Sequence, residues 1–352
     1  MKKNICFLII NLAKGGAESQ MIKLVIHLKN KGYKVKIISL GKDNDFEAII
    51  NENNLNVQCI QFKFGIGLFQ MIREVASFKT DVLISFMFAS NIIARFISVF
   101  CKLKLITSVR ASEISYRYKI LYKISYKRDS YSVFNSQVAL DRLKEIKITN
   151  SNNSVIINNA ISIPTSECVS NKTNKIFTLV SIAHFREKEK DYKTLFKALQ
   201  IVKKNGLNFK LYVIGKTFDL IWPMEMIEDF KLTENVKLLD FVNDPSVYLK
   251  KSDALILSTF GESSPNAILE GMAHSLPIIA TNVSGCARLL IDSKSGFLSK
   301  PKDSNNMASI LINLINMPQE ELDKLGANGF NYVFKNYNEN IVFSQWEKIL
   351  NK

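Results

Sequence analysis

Histidine is scarce in this 352-residue chain and paired cysteine is missing, and both shortages narrow the chemistry. There are three histidines and five cysteines. Cys6, Cys59, Cys101, Cys168 and Cys286 are scattered, odd in number and form no C-x-x-C pair, which removes a disulfide framework and a zinc site and suits a reducing compartment. Long uncharged apolar runs are absent too. The most lipophilic stretch, Val82 to Cys101, contains Asn91, Arg95 and three serines, so it reads as a buried strand followed by a core helix, not a span. The apolar run Ile5 to Ile10 passes straight into Asn11 without a small-residue cleavage pattern, which makes it a first strand and not a secretory signal. The turn Gly15-Gly16 has no third glycine after it and no acid at the end of the next strand, so it is not a dinucleotide fingerprint. No short-period repeat, low-complexity tract or heptad pattern is present.

What is present is an alternation of apolar runs with amphipathic stretches. The content is 47% hydrophobic and 10% aromatic, enough for two domains with cores of their own. Strands are expected at Ile5 to Ile10 and Val35 to Leu40. The helix between them, Ser19 to Lys31, should follow a Lys14-to-Glu18 loop and end at Gly32. Strand, helix and strand in that order predict a right-handed parallel crossover. Further strands fall at Val57, Val82, Leu103, Ser132 and Ser154. A polar segment at 164–175 is the best interdomain linker, and the pattern restarts at Ile176. The expected organisation is 1–165, a linker at 166–175, 176–335, and a terminal amphipathic helix at 336–352 carrying Val342, Phe343, Trp346, Ile349 and Leu350. Two such α/β domains of doubly wound parallel sheet imply a cleft between them, with ligands at the carboxyl ends of strands.

The chemistry concentrates at residues 253–280. Ala254 to Leu257 reads as a buried strand. Ser264-Pro265 should then start a helix, because serine accepts orphan backbone N–H bonds and proline is tolerated at the first helical position. The backbone N–H groups of Asn266 and Ala267 would be left to meet an anion, for which a helix mouth favours a phosphate or diphosphate. Glu262 and Glu270 bracket that mouth and suit sugar or ribose hydroxyls better than the anion itself. A lone glutamate there would more simply answer the helix dipole. Upstream, Arg186 and Lys190 lie four apart in a loop that closes a strand, where planar and point-charge cations together suit a diphosphate; a solvated basic loop is the plainer reading of the same residues.

The formal charge is +15. Between Cys101 and Ser130, eight Lys or Arg face only Glu113 and Asp129, with Tyr116, Tyr118, Tyr122, Tyr126 and Tyr131 interleaved or adjoining. This mix fits an anionic membrane interface. The same residues could serve nucleic acid through stacking and phosphate contact, and an ordinary solvated basic face weighs equally with the membrane.

The spacing Glu262-x7-Glu270, continued by Gly271-Met272-Ala273 and Leu276-Pro277-Ile278-Ile279-Ala280-Thr281, resembles the nucleotide-sugar site of retaining GT-B glycosyltransferases of family 4. The resemblance extends over the chain. Lys14-Gly15-Gly16-Ala17-Glu18, Asn135-Ser136 and Asn158-Asn159-Ala160-Ile161 match landmarks of the family's first domain. Gly215 matches its glycine near the nucleotide, and Asp240-Phe241-Val242 its base-binding segment. There are departures: Ala183-His184 stands where Gly-Arg is usual, so that Arg186 takes the missing arginine's place, and Asn282 to Arg288 replaces Asp-x-Gly-Gly and a later glutamate.

The resemblance implies two Rossmann-like domains and sugar transfer from a nucleoside diphosphate donor, a UDP-sugar first among them, with retention. It implies no bound metal and no cofactor, in keeping with the lack of an Asp-x-Asp pair in a suitable loop. Arg186, Lys190 and Glu262 would be the catalytic set. Gly15, Gly16, Gly215, Phe241, Val242, Ser264, Asn266, Ala267 and Glu270 would bind the donor, and Arg110 and Glu113 would lie on the acceptor side. The partner would be a lipid-linked or polysaccharide acceptor, reached from the inner face of the cytoplasmic membrane through residues 101–131, with no nucleic acid. Two other classes stay open: a GT-B UDP-sugar epimerase, which would need acid and base groups not found here, and a non-enzymatic basic binding module, which leaves the donor motifs unexplained.

Overall fold

The fold is described from a computed structural model covering residues 2–61, 65–111, 114–149, 151–164, 176–186, 188–216, 221–240, 242 and 244–352. Thirteen strands are described: β1 (Asn4–Ile9), β2 (Lys34–Ser39), β3 (Val57–Cys59), β4 (Val82–Phe86), β5 (Lys104–Val109), β6 (Tyr131–Phe134), β7 (Ser154–Ile156), β8 (Phe177–Ile182), β9 (Phe209–Ile214), β10 (Val236–Leu239), β11 (Ala254–Leu257), β12 (Ile278–Thr281) and β13 (Gly296–Ser299). They form two sheets, ordered β3-β2-β1-β4-β5-β6-β7 and β10-β9-β8-β11-β12-β13, and every pairing is parallel. The chain divides into one compact unit of Met1–Ala160 with Asn340–Lys352 and another of Ile161–Glu339. Both are Rossmann-like.

A strand covered on both faces must be apolar throughout, and successive side chains face opposite ways. In β1, Ile5, Phe7 and Ile9 enter the core shared with the helix Gly16–Asn30, whereas Cys6 and Leu8 enter the core under the helices Ile66–Ser77 and Phe88–Phe100. The second sheet repeats the division. Leu179, Leu211 and Ile256 face one cluster, and Val180, Leu255 and Ile278 the other.

The last helix, Glu339–Asn351, belongs to the first unit from Asn340 onward. Trp346 is buried and stacks 6.1 Å from Phe86, and His27 Nε2 lies 2.7 Å from Glu347. Lys104 donates to the Ile349 carbonyl at 2.6 Å and Lys3 to that of Leu350, cations at the negative end of the helix.

Arg95 is buried in the first unit and not merely kept out of a membrane. Its guanidinium donates to both Asp129 oxygens, at 2.8 and 2.7 Å, and lies 3.9 Å from the Tyr122 ring centroid. Asp129 also accepts from Thr107 at 2.6 Å and Ser132 at 2.8 Å, so both charges are satisfied. This network fixes the helix Tyr116–Ser125 from beneath. It also corrects the view of 101–131 as one basic face: Lys104, Arg110, Tyr122 and Asp129 have structural partners, while Arg117, Lys123, Lys127 and Arg128 are exposed.

Candidate donor site

The second sheet reverses its winding between β8 and β11, and open α/β sheets bind ligands outside the carboxyl ends of strands at such a switch. Two loops leave there, 183–191 after β8 and 258–265 after β11. They are zipped together. Lys190 bridges Thr259, Asp191 N donates to Ser258 O at 3.1 Å, Phe260 N to Glu189 O at 3.1 Å, and the hydroxyls of Ser258 and Thr259 to the carbonyls of Asp191 and Glu189 at 2.8 and 3.0 Å.

This zipper brings the Lys190 ammonium onto the Glu262 carboxylate, and both side chains are largely withdrawn from water. Arg186 goes elsewhere: its side chain is half exposed and pairs with Glu189 at 3.1 Å. The structure therefore joins Lys190 to Glu262 without Arg186. His184 is half-buried in the same loop, and its Nδ1 accepts the Lys216 N–H at 3.1 Å.

The helix expected from Ser264-Pro265 begins one residue later, at Asn266, and runs to Ala273. Pro265, not Ser264, takes the N-cap position, and its own side chain makes no cap bond. The proline needs no donor at a place where one would be orphaned. Glu270, half-buried, lies one turn inside, and its carbonyl meets His274 Nδ1 at 2.8 Å. Burial holds the His274 pKa below its ordinary value. Gly326 and Gly329 of the helix Gln319–Asn336 support this element from behind. A Cβ on Gly326 would overlap the Ser275 carbonyl, and one on Gly329 would lie 3.1 Å from Met272.

A further close approach lies at Gly285, in the first turn of the helix Ser284–Ser293. Its N–H donates to the Glu262 carbonyl at 3.0 Å, and a Cβ there would overlap that oxygen. The family's Asp-x-Gly-Gly spacing was the available signal. Gly215 is likewise a close approach, since a Cβ on it would run into the Ala183 carbonyl. Val242 is half-buried against the β11–β12 core, and Phe241 lies outside the described residues.

In the first unit, Gly15 and Gly16 stand past the carboxyl end of β1. The helix begins at Gly16, not Ser19, and the Glu18 carboxylate folds back over Gly15. Lys14 N donates to Asp45 at 3.0 Å, which ties down this turn. Arg110, past β5, donates to Asn159 and to Ser108, each at 2.8 Å. Burial lowers its pKa, yet a guanidinium stays charged at neutral pH. Glu113 lies outside the described residues. Met87, which nothing in the sequence marked, takes a left-handed φ of 75° just past β4, where that unit's own sheet reverses. Among the described residues there is no group of three or more potential metal ligands, and no helix long and apolar enough to cross a membrane.

These two units have the architecture of the GT-B glycosyltransferases. Residues 164–332 match the model of the family described as glycosyl transferases group 1. Over 99% of its length the chain is 24% identical to an uncharacterized glycosyltransferase of Haemophilus influenzae, covering all of that protein. Over 39% of its length it is 31% identical to the UDP-Gal:alpha-D-GlcNAc-diphosphoundecaprenol alpha-1,3-galactosyltransferase of Escherichia coli, covering 37% of that protein. The crystal structure of Anabaena HepE in complex with UDP and glucose superposes with a TM-score of 0.85 at 16% identity, over 99% of each chain.

Proposed function

We propose that this glycosyltransferase moves a hexose or N-acetylhexosamine, with retention of anomeric configuration, from a nucleoside diphosphate donor to a lipid-linked or polysaccharide acceptor of a cell-surface glycan. The observation that carries the reading is the meeting of Lys190, Glu262 and the mouth of the helix Asn266–Ala273 at the switch point of the second sheet. A UDP-sugar is the first donor to try, because the HepE structure holds UDP and glucose. The diphosphoundecaprenol in the E. coli enzyme's name supports a lipid-linked acceptor.

In this reading Glu270 accepts from the ribose hydroxyls and Glu262 from a sugar hydroxyl. Lys190 and the backbone N–H groups of Asn266 and Ala267, with Ser264 beside them, take the diphosphate; Arg186 swings in from the surface. Gly215 and Val242 line the nucleotide, and Phe241, Gly15 and Gly16 stay donor-binding candidates on the family resemblance. The anomeric C–O bond to the β-phosphate breaks, and its electron pair leaves on the phosphate oxygen. The acceptor hydroxyl oxygen bonds to the anomeric carbon on the same face, and its proton passes to the departing phosphate. No protein base and no cofactor enter that balance. The protein's work is positioning and stabilising developing charge. Arg110 and Glu113 are the acceptor-side candidates.

The protein would work as a peripheral protein on the inner face of the cytoplasmic membrane. The helix Tyr116–Ser125 supports this. Tyr116, Ile120 and Ile124 are 79%, 57% and 75% exposed, with Arg117 and Lys123 beside them, a mixture that favours anionic lipid over nucleic acid.

Thermal unfolding against UDP, GDP and their sugars tests the donor, since a ligand bound only by the folded state raises the midpoint. Lys190→Ala is expected to keep its fold and lose about 10²- to 10³-fold in turnover, the usual scale for an electrostatic contact in the transition state, and Glu270→Ala to keep its fold and lose about 10- to 10²-fold in kcat/KM through weaker donor binding. Full activity in both would refute the assignment.

A further inference from the structure

Lys190 and Glu262 neutralise each other inside a hydrogen-bonded frame. Four backbone and hydroxyl hydrogen bonds lock the loops at 189–191 and 258–260, and Gly285 N holds the Glu262 carbonyl at 3.0 Å. Parting the loops to relieve the pair would break these bonds. A diphosphate that takes the ammonium from the carboxylate at the level of side chains keeps them.

What that exchange costs depends on what happens to Glu262. A partly buried carboxylate stripped of its cation and given no donor bears a desolvation penalty. A sugar hydroxyl supplies the missing donor; a nucleoside diphosphate without its sugar does not. We propose that the Lys190–Glu262 pair couples sugar recognition to diphosphate binding, so that the intact donor satisfies both side chains while the diphosphate product strands Glu262 and is expelled as the pair re-forms. The inference rests on the donor-site reading above and adds to it a route for product release. Coupling of this kind is reciprocal. A donor lacking the hydroxyl that faces Glu262 loses that contact and also part of its hold on Lys190. Product inhibition is weak for the same reason.

Glu262→Gln tests this directly. It keeps the side chain's shape, the backbone carbonyl that Gly285 holds, and the ability to accept from a hydroxyl, but it removes the charge that competes for Lys190. The full chain is titrated calorimetrically with UDP, GDP and inorganic pyrophosphate. At least one of them should bind Glu262→Gln about tenfold more tightly than the native chain, equivalent to about 1.4 kcal/mol. Glu262→Ala, which removes the carboxylate altogether, should gain similarly. Lys190→Ala should weaken binding in both backgrounds, and the double variant should gain nothing over Lys190→Ala. If neither Glu262 variant binds more tightly while Lys190→Ala still weakens binding, the coupling is overturned and the donor site stands. If Lys190→Ala binds all three as the native chain does, the donor site itself is overturned, and this inference with it.

Discussion

Gly285→Ala gives the most direct test of how the donor-site loop is held. The added methyl would overlap the Glu262 carbonyl oxygen and lie 2.8 Å from both Glu262 C and Ser263 C. These are backbone atoms, so no rotamer change makes room. Ordinary contact begins near 3.4 Å, so the 262–263 backbone or the start of the helix Ser284–Ser293 must retreat by at least about half an ångström, and by more at the oxygen. The hydrogen bond from Gly285 N stretches or breaks with it. Overpacking of this kind costs about 1–3 kcal/mol, and each kcal/mol lowers the midpoint of a unit this size by about 2–4 °C. Activity should suffer more than stability, because Glu262 rides on the displaced carbonyl and about 1 Å of misplacement can cost about 10²-fold. The control is one residue from Glu262: a Cβ on Gly261 meets nothing within 4 Å. Turnover with a nucleotide-sugar donor and thermal unfolding of both variants make the comparison. Gly285→Ala should lose turnover steeply with a modest fall in midpoint, and Gly261→Ala should stay near native in both. Equal behaviour of the two would refute the claim that Gly285 sets the Glu262 loop.

Asp129→Ala leaves the buried Arg95 guanidinium without its carboxylate and should cost about 3–5 kcal/mol in urea unfolding; Arg95→Met with Asp129→Leu should recover most of it. Replacing Arg117, Lys123 and Lys127 together by Gln should lower affinity for phosphatidylglycerol vesicles by about 10²-fold, at about 1 kcal/mol per cation, with turnover on a soluble acceptor retained; sedimentation with vesicles reads it. His274 gives the pH dependence. Burial lowers its folded pKa below the unfolded value, so the unfolded chain takes the proton first. Its contribution is present above the unfolded pKa, about 6.5, and is lost as pH falls through the folded one. Urea midpoints at pH 7.5 and 5.5 should therefore differ, and His274→Gln should narrow that difference.

The strands were the legible part of the fold, for a physical reason. Both faces of each sheet are covered, so β1, β4, β8 and β11 are apolar runs, and each lies within a residue of where it is expected. Helix starts were less legible. The Gly15-Gly16 pair looked like loop, yet Gly16 opens the helix, because the Glu18 carboxylate can fold back over Gly15 and an extended glycine tolerates it. The helix Gln319–Asn336 was hidden by Gly326 and Gly329, which read as breakers in a sequence and act as close approaches in the fold. The Arg95–Asp129 pair joins residues 34 apart, and nothing local distinguishes either from a solvated charge.

The same limit explains the candidate site. Glu262 and Glu270 are carried by one loop and one short helix, so their spacing in sequence is already their spacing in space. Lys190 and Glu262 are 72 residues apart and meet only because β8 and β11 are neighbours across the reversal of the sheet. Arg186 and Lys190, four apart, looked like a pair of cations converging on one anion. The turn at 186–190, in which Lys190 N donates to the Arg186 carbonyl at 2.8 Å, sends one side chain to Glu189 at the surface and the other to Glu262. Adjacency in a loop says little about where side chains go; adjacency of strand ends says a good deal. Lys190 therefore carries more of the donor-site reading than Arg186, and Arg186→Ala should cost less turnover than Lys190→Ala. A larger loss from Arg186→Ala would mean that donor binding rebuilds the 186–190 turn, and that the pairing seen here is not the one in which sugar is transferred.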